Sequence, residues 1–267
     1  EGLEKDVKEE VVKETIVKEE REAQVWQNLI NKNLQESNLI PYQQPIVSSK
    51  DHTSHAYEIL VRIQENSKIL PSADFIHYAE KNRTIIQIDR YIIKQALKYY
   101  SDFDYPRLTI NLSYLTIATS DTIEYIIECK NNFNYPAEKI IFEITETTEI
   151  SNILLVQHFI DKLKKHGFFF ALDDFGSGFS SFYYLANLGI DYIKLDKSLT
   201  TDLPSSKTAQ HIVKSITELA KDLNIAVIAE GIENELLLNE MSRYNIDYLQ
   251  GYYFSKPKPL SEYCLGY

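Results

Sequence analysis

The pattern of apolar and polar positions divides the chain near residue 35. Residues 1–34 are rich in Glu and Lys and carry apolar residues at near-helical intervals, from Leu3 to Leu34. This pattern of charged and apolar residues predicts one long helix with i,i+4 charge pairs on its solvated face. The apolar spacing departs from a strict heptad, so a solvated linker helix and a signalling coiled coil joining two chains both stay open. We therefore predict a helix domain at 1–34 and a second domain at 35–267.

After the predicted helix, short β-branched or aromatic runs alternate with amphipathic helical stretches. The predicted strands are 42–47, 56–62, 107–112, 139–145, 168–172, 191–195, 225–229 and 247–250, and the predicted helices between them include 73–81, 84–100, 121–130, 151–166, 206–223 and 233–243. Such alternation is typical of parallel strands joined by crossover helices, and eight strands in a domain of this size predict an α/β fold of the (β/α)8 barrel type. A doubly wound open sheet is the alternative, although the chain has no Gly-rich dinucleotide fingerprint.

Polar residues end most of the predicted strands. They are Asn111, Glu143, Asp173, Asp174, Lys194 and Glu230, and an earlier strand contains Glu58. One acidic residue after a strand often only caps the next helix, but the carboxyl ends of barrel strands converge on one mouth. Several carboxylates gathered there repel each other unless a cation neutralises them. Carboxylate and amide oxygens suit Mg²⁺ or Mn²⁺, and the histidines show no zinc-ligand spacing, so the pattern predicts a divalent-metal site.

Composition narrows the classes of protein and of partner. The formal net charge of −11 argues against salt-driven binding to a nucleic-acid polymer, although a local metal could still admit a small anion. No apolar run reaches the length of a membrane span. Cys129 and Cys264 are the only cysteines and have no metal-ligand spacing, which favours a reduced, cytoplasmic setting. The chain begins at Glu1 rather than Met, so we expect it to be cut from a longer, membrane-anchored or soluble protein with an upstream sensory or GGDEF-type domain.

An ordered series of motifs resembles the EAL-domain phosphodiesterases, which linearise the bacterial second messenger cyclic di-GMP. The series is Glu58-Ile59-Leu60 with Arg62, Asn111-Leu112-Ser113, Glu143-Ile144-Thr145-Glu146, Asp173-Asp174-Phe175-Gly176, Lys194-Leu195-Asp196, Glu230-Gly231-Ile232-Glu233 and Gln250-Gly251-Tyr252. Ile59 replaces the alanine of the name motif, and Ile63 stands where tryptophan is common. Neither change removes an expected ligand, so the resemblance implies an EAL-type barrel with one antiparallel strand and an intact site.

The resemblance also implies the metal ligands and the catalytic residues. Two Mg²⁺ or Mn²⁺ ions per site are expected on the metal set Glu58, Asn111, Glu143, Asp173, Asp174 and Glu230, in which Asp173 bridges the first ion to the second. The expected catalytic set is Glu58, Asp174, Lys194, Glu230 and Gln250, with Glu146 steadying the loop that begins at Asp174. A lysine among carboxylates keeps its ammonium form, so we interpret Lys194 as positioning water rather than removing a proton.

The expected substrate contacts and function follow from the same resemblance. Gln44, Arg62 and Asp196 are the expected contacts to cyclic di-GMP, and hydrolysis to linear pGpG is the expected reaction. A catalytically weak or inactive receptor that signals through the amino-terminal helix is the alternative, and a protein-interaction scaffold or another dinucleotide substrate also stays open. Degenerate receptors of this fold typically lose metal-binding carboxylates, which this chain retains. The resemblance further implies a homodimer that uses the loop at 174–181.

Overall fold

The computed structural model of the chain describes residues 2–103, 107–145, 152–176 and 181–260. The chain forms two compact units, one made of Glu1–Ile40 and Val61–Ile88 and the other of Pro41–Leu60 and Asp89–Tyr267. The strands of the described residues are β1 (Leu39–Ser48), β2 (Ser54–Glu65), β3 (Lys68–Pro71), β4 (Arg107–Asn111), β5 (Ile140–Thr145), β6 (Phe169–Phe175), β7 (Tyr192–Leu195), β8 (Ala226–Ala229), β9 (Tyr248–Gln250) and β10 (Lys258–Pro259). The predicted domain boundary after residue 34 stays a prediction.

The larger unit contains a closed ring of eight strands. The strand order is β1-β9-β8-β7-β6-β5-β4-β2, and a pairing between β1 and β2 closes the ring. Strands β2 and β4 to β9 pair in parallel around the ring, whereas β1 runs antiparallel to β9. The predicted (β/α)8 barrel with one antiparallel strand is therefore confirmed, and the open-sheet alternative is wrong because the edges pair with each other.

Helices join successive strands, and several of them begin at polar capping residues. The helices of the described residues are α1 (Gly2–Gln35), α2 (Ile76–Lys81), α3 (Ile85–Tyr100), α4 (Tyr114–Ile117), α5 (Thr122–Asn132), α6 (Ile153–Lys164), α7 (Ser181–Asn187), α8 (Lys197–Asp202), α9 (Lys207–Asp222) and α10 (Glu235–Met241). The side chains of Asn152, Ser206 and Asn234 accept hydrogen bonds from the backbone N–H groups of α6, α9 and α10. These caps satisfy backbone donors that have no partner inside the helix, which explains where the crossover helices start.

The interior of the barrel is arranged in layers of inward-facing side chains. A buried apolar layer contains Ile46, Ala56, Ile141, Ala171 and Ile228 with Tyr192 beside it. Because strand residues two apart share a face, Glu58, Glu143 and Asp173 lie one layer closer to the mouth than Ala56, Ile141 and Ala171. The same alternation that builds the apolar core therefore delivers the polar strand ends into the barrel.

The smaller unit contains the amino-terminal helix, the β2–β3 hairpin and α2. The predicted long helix is confirmed, and Trp26 on α1 stacks on Tyr78 of α2 with ring centroids 5.8 Å apart. In the hairpin, Arg62 pairs with Pro71, and its guanidinium donates to the Val61 carbonyl oxygen at 2.8 Å. Whether two chains join through α1 as a coiled coil stays a prediction. No helix of the described residues is both long and apolar enough to cross a bilayer.

Candidate active site

Polar side chains from most of the ring strands meet at the carboxyl end of the barrel, here called the mouth. The inward-facing residues are Gln44 on β1, Glu58 on β2, Asn111 on β4, Glu143 on β5, Asp173 on β6, Lys194 on β7, Glu230 directly after β8 and Gln250 on β9. The parallel register places Asn111 beside Glu143, and two residues farther along β5 it pairs Thr145 with Asp173. The sequence-based expectation that the strand ends converge is met at each of these positions.

Lys194 lies at the centre of the mouth and is 1% exposed. Its ammonium nitrogen is 2.8 Å from carboxylate oxygens of both Glu143 and Glu230, 3.2 Å from Asp173 and 3.5 Å from Glu58. Burial lowers the pKa of this lysine, but the surrounding carboxylates outweigh burial and hold the pKa well above its ordinary value. The side chain is therefore a fixed cation among the carboxylates.

Glu58 is the most completely hydrogen-bonded carboxylate of the mouth. It accepts hydrogen bonds from Asn111 Nδ2 at 3.0 Å and from Gln250 Nε2 at 2.6 Å. Burial raises the pKa of Glu58, but the Lys194 ammonium and the two amide donors outweigh burial, so the pKa is lowered. Gln250 Nε2 also lies 3.2 Å from Gln44 Oε1, which ties Gln44 into the same network.

Two other carboxylates of the mouth resist ionisation. Burial raises the pKa of Glu143 well above its ordinary value, because the attraction of Lys194 does not fully offset desolvation and the charges of Glu58 and Asp173. Burial and the charge of Asp173 likewise raise the pKa of Glu230 to about 8, against the opposing effect of Lys194. A single ammonium is too little positive charge for the mouth, and an added cation would favour the ionised form of both groups.

A β-bulge in β6 turns two consecutive aspartates toward the site. Leu172 pairs with Ile193 and Phe175 pairs with Leu195, so Asp173 and Asp174 together stand opposite one residue of β7. Asp174 adopts a left-handed backbone with φ 55°, a conformation that aspartate tolerates better than most residues. Burial raises the pKa of Asp174 to about 6, with further contributions from neighbouring carboxylates. Without the bulge, adjacent strand residues would point to opposite faces.

The donor set of the mouth fits a divalent cation. One oxygen from each of Asp173, Asp174 and Glu230 lies within 4.8 Å of the others. The buried Glu143 Oε1 has no hydrogen-bond partner in the described part of the chain, and Asp173 Oδ1 has only the Lys194 ammonium, at 3.2 Å. Buried carboxylate oxygens without donors are costly, and an oxygen-only set of this kind is what Mg²⁺ and Mn²⁺ prefer. Glu58, Asn111 and Glu143, the other expected ligands of the first ion, lie on the neighbouring strands β2, β4 and β5.

Two of the expected residues occupy other environments. Asp196 caps α8, since its Oδ1 accepts a hydrogen bond from the Ser198 backbone N–H at 2.9 Å. Arg62 belongs to the smaller unit, where Ser72 Oγ lies 3.4 Å from its guanidinium. Glu146 falls outside the described residues, as do 177–180 of the expected dimer loop. Their expected roles stay predictions.

Sequence reasoning missed two supports of the mouth, at Thr200 and Gly251. Thr200 Oγ1 donates to the Glu230 carbonyl oxygen at 2.5 Å and so fixes the backbone of that carboxylate. A Cβ on Gly251 would lie 2.1 Å from the Ile232 carbonyl oxygen, so only glycine lets the segment after Glu230 approach the end of β9. A glycine directly after Gln250 was the available signal for this close contact, whereas nothing in the sequence marked Thr200.

A closed barrel with carboxylates gathered at its mouth is the arrangement of the (β/α)8 class of enzymes. Within this class the chain belongs to the EAL domain family, because the sequence model of that family matches residues 27–257.

Curated relatives include cyclic di-GMP phosphodiesterase PdeB of Shewanella oneidensis, 36% identical over 92% of this chain and 29% of that protein. Cyclic di-GMP phosphodiesterase PdeA of Borreliella burgdorferi is 31% identical over 82% of this chain and 33% of that protein. The chain thus spans about a third of the length of these relatives.

Solved structures share the fold. The EAL enzyme Bd1971, in a form bound to cAMP and cyclic di-GMP, has a TM-score of 0.87 at 27% identity and covers 92% of this chain and 69% of its own. An EAL domain protein from Listeria monocytogenes has a TM-score of 0.79 at 29% identity, covering 90% of this chain and 94% of its own.

Proposed function

We propose that this chain hydrolyses cyclic di-GMP to linear pGpG with the aid of divalent cations held at the mouth. One observation carries the proposal: in a chain of the EAL family, Glu58, Glu143, Asp173 and Glu230 surround one buried ammonium, and Glu143 Oε1 has no donor among the described residues. The relatives PdeB and PdeA are named cyclic di-GMP phosphodiesterases, and the similar solved structure of Bd1971 holds cyclic di-GMP.

The mouth offers ligands for two Mg²⁺ or Mn²⁺ ions. Glu58, Asn111, Glu143 and Asp173 would hold the first ion, and Asp173, Asp174 and Glu230 would hold the second. Such ions activate water and neutralise charge on phosphoryl oxygens. They would also offset the repulsion between the carboxylates of the mouth and a dianionic ligand.

The chain's own groups orient water and substrate. Lys194, kept as an ammonium by its neighbours, donates hydrogen bonds to water or to a phosphoryl oxygen and does not act as a base. Gln250, with Gln44 beside it, donates and accepts at the edge of the carboxylates, and its own Oε1 has no partner among the described residues. Arg62 and Asp196 recognise the nucleotide, and Glu146 steadies the loop that begins at Asp174. Arginine supplies a planar pair of donors for a phosphate or a guanine edge.

The test is product formation by the purified chain. Incubation of the 267-residue protein with Mg²⁺ or Mn²⁺ and cyclic di-GMP should yield pGpG, resolved by chromatography. Glu58→Ala should abolish turnover, whereas Glu218→Gln, which alters an exposed ion pair with Lys214, should not. Ca²⁺ should inhibit, because its longer bonds and looser geometry misplace the attacking water. Ligand binding without product would contradict hydrolysis and favour the receptor alternative.

We also propose that the chain acts in the cytoplasm, as a homodimer, downstream of a sensory or GGDEF-type domain. The short span relative to PdeB supports the added domain, and the free, buried Cys129 suits a reducing compartment. Light scattering of the chain with and without residues 1–34 should show a dimer, weakened when the helix is removed. A monomer at all concentrations would contradict the homodimer.

A further inference from the structure

Helix α3 carries a buried carboxylate that no expected role explains. Asp89 is 6% exposed, and its Oδ2 atom accepts three hydrogen bonds: from the Ser113 backbone N–H at 3.0 Å, from Ser113 Oγ at 2.8 Å and from Thr116 Oγ1 at 2.6 Å. A carboxylate is costly to bury unless donors compensate, and hydrogen bonds to a charged acceptor are the stronger kind. The three donors therefore hold Ser113 firmly against α3.

Ser113 lies two residues after Asn111, an expected metal ligand. Between them, the Leu112 backbone N–H donates to the Glu143 carbonyl oxygen at 2.9 Å, which fixes the segment to β5. Ser113 also caps α4 by accepting a hydrogen bond from the Thr116 backbone N–H. The segment that carries Asn111 is thus anchored to β5 on one side and to Asp89 on the other.

Asn111 depends on its anchors more than a carboxylate ligand would. Its side chain is neutral, so its carbonyl oxygen attracts a cation less strongly than a carboxylate does, and the amide must point the correct way. Nδ2 donates to Glu58 Oε1 at 3.0 Å, which sets the orientation only while the backbone of Asn111 keeps its position. Residues that hold metal ligands in this manner typically change metal affinity when they are replaced.

We propose that Asp89 is a positioning residue for the cation site and acts through Ser113 to hold Asn111 in its ligating position. The inference rests on the proposed function, because that function places the cation at the mouth. It names a residue outside the mouth whose replacement should weaken cation binding without removing any ligand.

A purely structural role makes a different prediction, and the base of the barrel supplies the comparison. Asp247 Oδ2 accepts a hydrogen bond from the Val227 backbone N–H at 2.8 Å, so it too is a carboxylate that fixes a neighbouring backbone. Val227 lies in β8 on the side of the barrel away from the mouth. Asp247→Asn is therefore the control for an anchoring carboxylate at the base, since both substitutions exchange such a carboxylate for an amide of the same shape; Asp247 is exposed, whereas Asp89 is buried.

The experiment is Mn²⁺ binding to the full 267-residue chain, measured by electron paramagnetic resonance and calorimetry. Asp89→Asn should raise the dissociation constant for Mn²⁺ roughly tenfold, and Thr116→Val should raise it less, in the same direction. Asp247→Asn should leave it unchanged. Turnover of Asp89→Asn should approach the wild-type value at saturating Mn²⁺ and fall at limiting Mn²⁺, a split that a general loss of stability does not produce.

Two results would overturn the inference. One is a wild-type dissociation constant in Asp89→Asn, or in Thr116→Val if Asp89→Asn does not fold. The other is an equal loss of affinity in Asp247→Asn, which would trace the effect to stability. Failure of the proposed function is recognised separately, in the wild-type chain: it would bind no Mn²⁺, or bind Mn²⁺ and release no pGpG.

Discussion

The two ends of the barrel interior are built from the same strands and differ in what they hold. At the base, Tyr192 and Tyr248 lie with ring centroids 6.3 Å apart, and His55 stacks on Tyr248 at 3.8 Å. Two residues farther along β7 and β9, Lys194 and Gln250 face the carboxylates of the mouth. One step of the strand period thus separates a layer of aromatic side chains at the base from a layer of charged and amide side chains at the mouth.

The comparison shows that the two layers contribute differently to stability. The base buries aromatic surface, and Arg107 lies over the Phe169 ring at 5.2 Å while its Nε donates to the Glu138 carbonyl oxygen. The mouth keeps Glu143 and Glu230 in surroundings that raise the pKa of each carboxyl group, which opposes the charge that a cation needs. Sites of this kind typically trade stability for activity. Substitutions at the base should therefore reduce stability, and substitutions of the carboxylates at the mouth should reduce turnover.

The largest expected effect is at the mouth, in Glu143→Gln. The change removes a buried carboxylate of nearly the same shape, so turnover should fall roughly a thousandfold as an expected metal ligand is lost. The free energy of unfolding without metal should stay equal or rise by about 1 kcal/mol, because the raised pKa shows that ionising Glu143 is unfavourable, and glutamine keeps an oxygen for Lys194. Steady-state kinetics and urea unfolding measure the two quantities. A marked loss of stability would contradict the division between mouth and base.

At the base, Tyr192→Ala is expected to lower stability and to leave Mn²⁺ binding nearly unchanged. Tyr192 is 7% exposed and packs among the apolar layer of the barrel, so its truncation leaves a cavity that should lower the free energy of unfolding by about 3 kcal/mol. The dissociation constant for Mn²⁺ should stay within twofold of the wild-type value at a temperature where the variant is folded. Tyr192→Phe is the control, because it keeps the ring. A large change in Mn²⁺ affinity would show that the two layers are coupled.

The sequence predicted the barrel and the convergence of its strand ends because both follow from local patterns. Short β-branched and aromatic runs marked β5 and β6, and the polar residues that end those runs fell at the mouth because the carboxyl ends of barrel strands converge there. The bulge at Asp173 and Asp174 could not be predicted, since it depends on pairing with β7, and neither residue is a glycine. The burial of Asp89 was not predicted for a related reason: an acidic residue within an amphipathic helix is expected to face solvent until its partners in the fold are known.

Short elements were also missed, namely β3, β10, α4, α7 and α8. The four residues of α4, for example, are too few to show a helical period, and its start depends on the Ser113 cap. The predicted helix at 73–81 is interrupted at Phe75, between a 3₁₀ turn at Ser72–Asp74 and α2. Boundaries of this kind are set by tertiary contacts rather than by local preference.

Lys194→Met tests whether the ammonium stands in for cations at the mouth. Removing it leaves four nearby carboxylates without their shared partner, so the metal-free chain should lose about 2 kcal/mol of unfolding free energy at pH 7. Added Mn²⁺ should restore more stability to this variant than to the wild type, whereas turnover stays low in both conditions. Thermal unfolding with and without Mn²⁺ measures the effect, and equal responses to Mn²⁺ would contradict it.

The smallest expected effect concerns His55 and the pH dependence of stability at the base. Burial, with a smaller contribution from Arg107, lowers the pKa of His55 to about 4 from an ordinary value of 6.5. Between pH 6.5 and pH 4, His55 is therefore protonated in the unfolded chain and neutral in the folded chain. The contribution of His55 to stability is fully present above pH 6.5 and is lost as the pH falls through 4. Because His55 is partly exposed, solvent screening reduces the effect to about 1 kcal/mol. His55→Phe keeps the stacking on Tyr248 and removes the titration, so the difference in unfolding free energy between variant and wild type should grow from pH 7.5 to pH 4.5. A difference that is constant with pH would show that the His55 ring is solvated and that burial at the base does not lower its pKa.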